Sequence, residues 1–352
     1  MEAIGGAQLQ SVFPPPARTL IGAIRTAMGE AHQVDWKAYA HDAQHPLKTT
    51  IGSAESLGPL SFVGPYLLQN GKRLFPVPLA LLHAKGDEKS KLQEQFVRLQ
   101  PSAKPTQCDL GNVRLPQMQK TIPGTKPAEN AWISAEGLAA FLDGGVPKLQ
   151  AMVQPDKLYA SEERLGIGRD NTTRTTGDGL LYQTKHVRPL QGVGVGMVVK
   201  GFNANMPVQH GTTRLGAEGR LAAWQCEAAQ ALPTATRKSN QVLLVLLTHA
   251  HFKQGWLPDG FTPVTLPDHQ TAWEGVFEGV ALRLISSVIG KPMREGGWDL
   301  VNRLPRTMDS LVPAGSCYFC EVLNGADARA LNGKQLGQDT EYGRGEIAVG
   351  TW

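Results

Sequence analysis

"SVFPPPARTLIGAIR", residues 11–25, sets three prolines directly before a short amphipathic segment. With Thr19 as N-cap, Leu20, Ile21, Ala23, Ile24, Ala27 and Met28 fall on one side at about 100° per residue, leaving Gly22, Arg25 and Gly29 on the other. The spacing predicts a helix with one buried face. Two readings of its polar face stay open: an arginine flanked by residues without side chains admits a partner's backbone, or Gly22 and Gly29 admit another helix.

The chain is 352 residues long, so two domains of ordinary size are expected. Its 39 glycines and 24 prolines argue for many turns and for α+β or β-rich architecture. A formal charge of +4 is compatible with a polyanionic partner without requiring one. Cys108, Cys226, Cys317 and Cys320 are too few and too scattered for a disulfide framework, which favours a reducing cytoplasm. The longest apolar run, "VLLVLL" at 242–247, is far short of a membrane span, and the first residues lack the pattern of a signal peptide. The expectation is a cytoplasmic protein with no membrane partner.

Several elements follow from local pattern. "YLLQNGKRLFPVP" flanks Asn70 and Gly71 with apolar runs, a hairpin signal. The stretch 86–130, with Pro101, Pro105, Pro116, Pro123 and Pro127 and little periodicity, reads as a long surface excursion. "WISAEGLAAFLDGG" predicts a strand end, a Ser134 cap and a short helix stopped by Gly144. Two strand-like flanks, 157–165 and 179–188, enclose a glycine- and threonine-rich tip and predict a protruding β-ribbon. "GVGVGMVVKG", "QVLLVLLTHAHF" and "GSCYFCEVL" read as core strands, and "EYGRGEIAVG" forms a glycine-rich tail.

Most catalytic patterns fail on spacing. "GVGVGM" and "GIGRDN" miss the dinucleotide fingerprint, and "IGKPM" has proline where a phosphate-binding loop needs serine or threonine. Cys317 and Cys320, three apart in a strand, point to opposite faces and read as core. His249 and His251 would share a strand face, but no nearby carboxylate completes a metal site, so neither metal nor cofactor is expected. His186 beside Arg188 is the one attractive acid–base candidate, and a phosphate contact or a packed ring is the commoner role for such a pair. Between 160 and 220 basic residues exceed acidic ones by three, and Arg169, Thr172, Thr173, Arg174, Thr175 and Thr176 gather at the ribbon tip. That mix of charge and hydroxyls suits phosphate and ribose oxygens, although a plain solvated loop would have the same composition.

Several stretches together resemble one family. "FPPPARTLIGAIRTA", "GPYLLQNGKRLFPVP", "LGIGRDNTTRTT" with "GLLYQTKHVR", "RLGAEGRLA", "GGWDL" and "VPAGSCYF" occur in the order found in the third Cmr subunit of type III-B CRISPR interference complexes, a member of the RAMP superfamily of RNA-binding proteins. The resemblance implies two ferredoxin-like (RRM-like) domains, 1–204 with the 86–130 excursion and the 157–188 ribbon, and a degenerate 205–352. It implies a subunit without catalytic activity that binds the crRNA 5′ handle and docks on the large palm-domain subunit and an adjacent backbone RAMP subunit. Carried onto this chain, the RNA-facing positions are Arg18, Thr19, Gly22, Arg25, Arg169, Thr172, Arg174, His186, Arg188, Arg214 and Arg220. Gly166, Gly168, Gly216, Glu218, Gly343 and Gly345 are the loop positions, and the last two belong to a stretch similar to the RAMP glycine-rich loop. Glu346 is a departure, since a purely RNA-facing loop has no need of an acid. Only twelve residues precede Phe13 where the family has a strand and a loop, so the first strand of the first domain is expected to be missing or shortened. The competing reading is a RAMP-type metal-independent endoribonuclease that processes repeat RNA through His186. A third is a structural clamp that touches RNA little.

Overall fold

The computed structural model describes residues 8–86, 93–128, 130–169, 172–202, 207–216, 219–299 and 303–352. The architecture is α+β and mostly β. A first sheet runs in the order Met152–Val153, Trp132–Ile133, Lys72–Pro76, Ser61–Gln69, Val193–Lys200. A second, all antiparallel, runs Thr262–Thr265, Thr271–Phe277, Val280–Val288, Cys317–Val322, Gln241–Leu246, Ile347–Thr351.

The opening helix spans Ala17–Ala31 and buries Leu20, Ile21, Ala23, Ala27 and Met28, the face its periodicity predicts. Its start corrects one expectation, because Pro16 rather than Thr19 is the N-cap. Proline fixes the entering backbone, and the Pro16 carbonyl accepts from the Thr19 and Leu20 amides at 3.0 and 3.2 Å, so Thr19 already lies inside the helix. The two glycines of the polar face part company. A Cβ on Gly29 would lie 2.6 Å from the Trp36 ring, whereas one on Gly22 would meet nothing within 4 Å. Gly29 is there for packing, and Gly22 leaves an open surface.

The Asn70–Gly71 turn forms as expected, with φ of 51° and 75°, the left-handed pair that matches hairpin twist. Ser134 caps Ala135–Leu142, accepting from the Gly137 amide at 3.2 Å, and Gly144 follows at φ 89°.

The 86–130 excursion is not a loop. Gln95–Pro101, Pro116–Met118 and Thr125–Pro127 join Leu81–Ala84 in a four-stranded sheet, and Thr106–Cys108 pairs with Gly111–Val113. Pro101, Pro116 and Pro127 sit at strand ends, where a missing amide costs no interior ladder bond. Arg98 anchors the unit: its buried guanidinium donates to the Phe141 carbonyl at 2.5 Å and to those of Gly145 and Thr351. Burial lowers Arg98 to about 10, so it stays charged at neutral pH.

Two further strands differ from expectation. Val193–Lys200 lies at a sheet edge and is half-buried, its Gly196 making room for the Tyr66 ring. Gln241–Leu246 is a fully framed core strand, but it ends before His249. Cys317 and Cys320 do face opposite ways, one into each hydrophobic cluster, and burial raises both thiols, Cys317 to about 12.

Gln8–Gln10 forms a three-residue strand, but it pairs parallel with Gln183–Lys185 of the ribbon rather than entering the first sheet. Tyr342–Gly343 instead pairs parallel with Phe62–Val63. One cluster joins Phe75, Leu81, Ile133 and Phe141 to Leu243, Val245, Phe319 and Ala348, so the residues before and after 204 share a core.

Candidate nucleic-acid interface

The ribbon pairs Tyr159–Arg169 with Thr176–Pro189 in continuous antiparallel register up to an irregularity between Ile167 and Arg169. Gly166 and Gly168 lie on its distal half, opposite Tyr182 in the case of Gly166. At the tip Thr172 and Arg174 are exposed, Arg174 at φ 58°, and Thr173 and Thr175 hydroxyls lie 2.8 Å apart. The Arg174 guanidinium has no carboxylate partner among the described residues. The Arg169 side chain and all of Glu218 lie outside the described residues.

Further down, Glu162 accepts from Arg164 and Arg188, and those two bonds, Arg188 first, hold its carboxyl below the usual range. Arg188 is therefore a ribbon cation that is exposed but already paired. His186 departs most from its expected role. Its ring is buried, with Nε2 3.0 Å from the Thr184 hydroxyl and 3.2 Å from a guanidinium nitrogen of Arg220.

Through that contact the ribbon meets a second hairpin, His210–Arg214 with Leu221–Gln225. Its turn carries Gly216 at φ 75° and Gly219 at φ 65°, both with open space around them. Alternation divides the hairpin into faces: Thr213 is buried and Trp224 half-buried on one, while His210, Thr212, Arg214, Leu221 and Gln225 are exposed on the other. The inner face meets the opening helix, and a groove of about 310 Å³ between them is lined by Ala27, Glu30, Val208 and Trp224. Arg214 was identified from sequence. His210, Thr212 and Gln225 were not, although the period-two pattern of "HGTTR" and "LAAWQ" around a glycine turn carries the signal.

The cations of the opening helix turn inward. Arg25 donates from Nε to the Ile51 carbonyl at 2.6 Å, and from Nη2 to the carbonyls of Ser53 and, at 3.4 Å, Ser56. It ties the helix to the following loop. Arg18 lies over the Tyr342 ring, 4.2 Å from its centroid. Gly22 is exposed, and its carbonyl accepts from the Thr26 hydroxyl at 2.8 Å.

The tail loop is internal. Arg344 and Glu346 are 2% and 4% exposed, and Gly343 and Gly345 adopt φ of 88° and 76° where a Cβ would overlap the carbonyls of Gly64 and Leu336. Glu346 forms a buried ion pair with Arg73, whose guanidinium also lies 4.2 Å from the Tyr66 ring centroid. The acid that looked out of place on an RNA-facing loop is thus the partner of a buried arginine. Arg344 donates to Asp309 and Asp339 at 3.0 Å and to Glu295 at 3.3 Å.

His251 does find a carboxylate, Asp339, at 2.8 Å, and with Asp309 these groups lie within 4.8 Å of one another. Sequence reading missed this cluster because its members lie far apart along the chain. Arg344 already donates to Oδ2 of both aspartates, so a protein cation engages that side of the cluster. His249 is half-buried, accepts from the Ala314 amide at 3.0 Å, and is pushed down to about 4 by desolvation of its ring and then by Arg344. No described helix is long and apolar enough to cross a membrane.

The fold thus assembles a cation- and hydroxyl-bearing ribbon, a second hairpin locked to it, and an internal glycine loop. A family model for CRISPR-associated protein (Cas_Cmr3) matches residues 3–352, essentially the whole chain. The chain belongs to the Cas_Cmr3 family. The resemblance seen in the ordered motifs is thereby borne out. Among solved structures, this chain is similar to one described as "Cryo-EM structure of the Type III-B Cmr-beta bound to cognate target RNA", at 13% identity and TM-score 0.47, covering 90% of this chain and 78% of that one. A second, described as the same complex bound to cognate target RNA and AMPPnP, state 1, gives 13% identity and TM-score 0.44 over 88% and 79%. No curated protein sequence matches.

Proposed function

We propose that this Cas_Cmr3 family member is a non-catalytic subunit of a type III-B CRISPR effector, that it binds the 5′ handle of the crRNA, and that it assembles with the large palm-domain subunit and an adjacent RAMP subunit. The two sheets are read as the family's two ferredoxin-like units. One observation carries the RNA-binding part of this reading: Arg174 and Arg214 are exposed, without carboxylate partners among the described residues, on two hairpins joined through His186 and Arg220. Exposed arginines with neighbouring hydroxyls and a glycine turn suit a sugar–phosphate backbone, where contacts position the RNA without reading sequence.

The endoribonuclease reading fares worse on geometry. A general base must reach the proton it removes, and the His186 ring is buried with Nε2 engaged by Thr184 and Arg220. Its position supports a positioning role for Arg220 at the ribbon–hairpin junction. A photo-crosslinking residue placed at Thr173 in the assembled complex tests the RNA reading. The expected product joins this chain to the 5′ end of the crRNA. Crosslinks to protein alone would overturn the reading.

A further inference from the structure

Between Val280–Val288 and Cys317–Val322 of the second sheet, two short strand pairs form an arm that the RNA-facing surface does not use. Met293–Glu295 pairs with Asp309–Leu311, and Trp298–Asp299 with Leu304–Pro305. A two-stranded unit is marginal in water on its own. Here Arg344 fixes its base, bonding Glu295 on one strand, Asp309 on the other and Asp339 of the tail loop.

Beyond that base the arm holds apolar side chains in solvent: Trp298 is 57% exposed, Leu304 61% and Met308 65%. Single exposed apolar residues are ordinary, but three on one short arm, tryptophan and methionine among them, have the composition of an interface core. The arm also forms most of the wall of a cleft of about 440 Å³, closed by Arg18 and Asp339.

The charges in this cleft are unevenly committed. Arg306 is bonded to Asp299 at 3.2 Å, and Arg18 lies over Tyr342. Asp309 and Asp339 also line the cleft, and every side-chain bond that either makes among the described residues goes through Oδ2. Each therefore keeps a second carboxylate oxygen available to a donor. An entering guanidinium or ammonium would find charge-assisted acceptors, whereas an entering phosphate would face carboxylates.

We infer that the arm and its cleft are a docking surface for a companion protein subunit, which places one arginine or lysine against Asp309 and Asp339 while apolar side chains cover Trp298, Leu304 and Met308. This rests on the reading of the chain as one subunit of a complex. Buried aromatic anchors and a desolvated charge at the centre are the usual energetic core of such contacts.

The test uses the reconstituted complex with its crRNA and a photo-crosslinking residue at Leu304 or, separately, Met308. Both positions are exposed, so the fold tolerates the change. The expected product is a crosslink to a companion protein, in a peptide that contains arginine or lysine. The double variant Leu304→Glu/Met308→Glu is expected to lower recovery of that companion with this chain at least tenfold. A crosslink from 304 and 308 to RNA, or none to any subunit, overturns the inference, as does unchanged recovery of the double variant. The Thr173 probe reads the RNA function separately: RNA at 173 with no protein at 304 defeats only the docking surface, and the reverse pattern defeats only the RNA reading.

Discussion

The ribbon tip, "GRDNTTR", and the tail loop, "GRGE", look alike as sequence, each setting arginine among glycine and polar residues. In the fold they have opposite fates. Arg344 is 2% exposed and surrounded by three carboxylates drawn from the arm and the tail loop, and Glu346 closes on Arg73. Arg174 is exposed and meets no carboxylate among the described residues. The difference is set by what distant parts of the chain bring to each arginine. Internal arginines that have acidic partners hold the molecule together, and outward ones without such partners keep their donors in solvent.

The largest expected effect breaks the internal side of this comparison. Glu346→Ala leaves the Arg73 guanidinium buried without its carboxylate, and removing one member of a buried pair costs about 3–5 kcal/mol. Urea unfolding measures it. A loss within the ordinary range of a surface substitution would mean that the tail loop is not the internal tie described.

A second effect comes from His249, close to the same cluster. Desolvation of its ring holds its folded-state pKa near 4, below the ordinary histidine value of about 6.5, so the unfolded chain takes up a proton that the folded chain does not. Stability is therefore full above pH 6.5 and declines as pH falls from about 6.5 to about 4, by about 3 kcal/mol at the lower limit. His249→Asn keeps an acceptor for the Ala314 amide and removes the titration. Unfolding at pH 7 and pH 4 should show the wild type losing about 3 kcal/mol more than this variant. Equal losses would contradict the neutral ring.

Legibility in the sequence followed the range of the interaction. The buried face of the opening helix, the Asn70–Gly71 turn, the Ser134 cap and the opposed Cys317 and Cys320 depend on residues a few positions apart, and all were readable. The excursion reads as a loop from sequence because Gln95–Pro101 and Thr125–Pro127 are joined through Leu81–Ala84, which lies outside it, and because prolines at strand ends look like loop signals. Thr19 reads as the cap because a side-chain cap is the usual solution, whereas here the Pro16 carbonyl receives the first amides.

The site was legible to a similar depth. The ribbon is legible as two strand-like flanks around a polar tip, and "RLGAEGR" only as a motif that the resemblance implies is RNA-facing; Arg174 and Arg214 are exposed there. That Arg25 spends its guanidinium on the carbonyls of Ile51 and Ser53, or that Arg220 reaches His186, depends on tertiary approach that no local pattern records.

The smallest effect on stability belongs to the outward arginines, and it gives the most direct test of the central claim. Arg174→Ala/Arg214→Ala should change unfolding free energy by less than about 0.5 kcal/mol per site, as surface substitutions do. In the assembled complex, the slope of log affinity for the crRNA handle against log salt should fall by about 0.7 for each phosphate contact removed, or about 1.4 in the double variant. An unchanged slope with unchanged affinity would contradict the account.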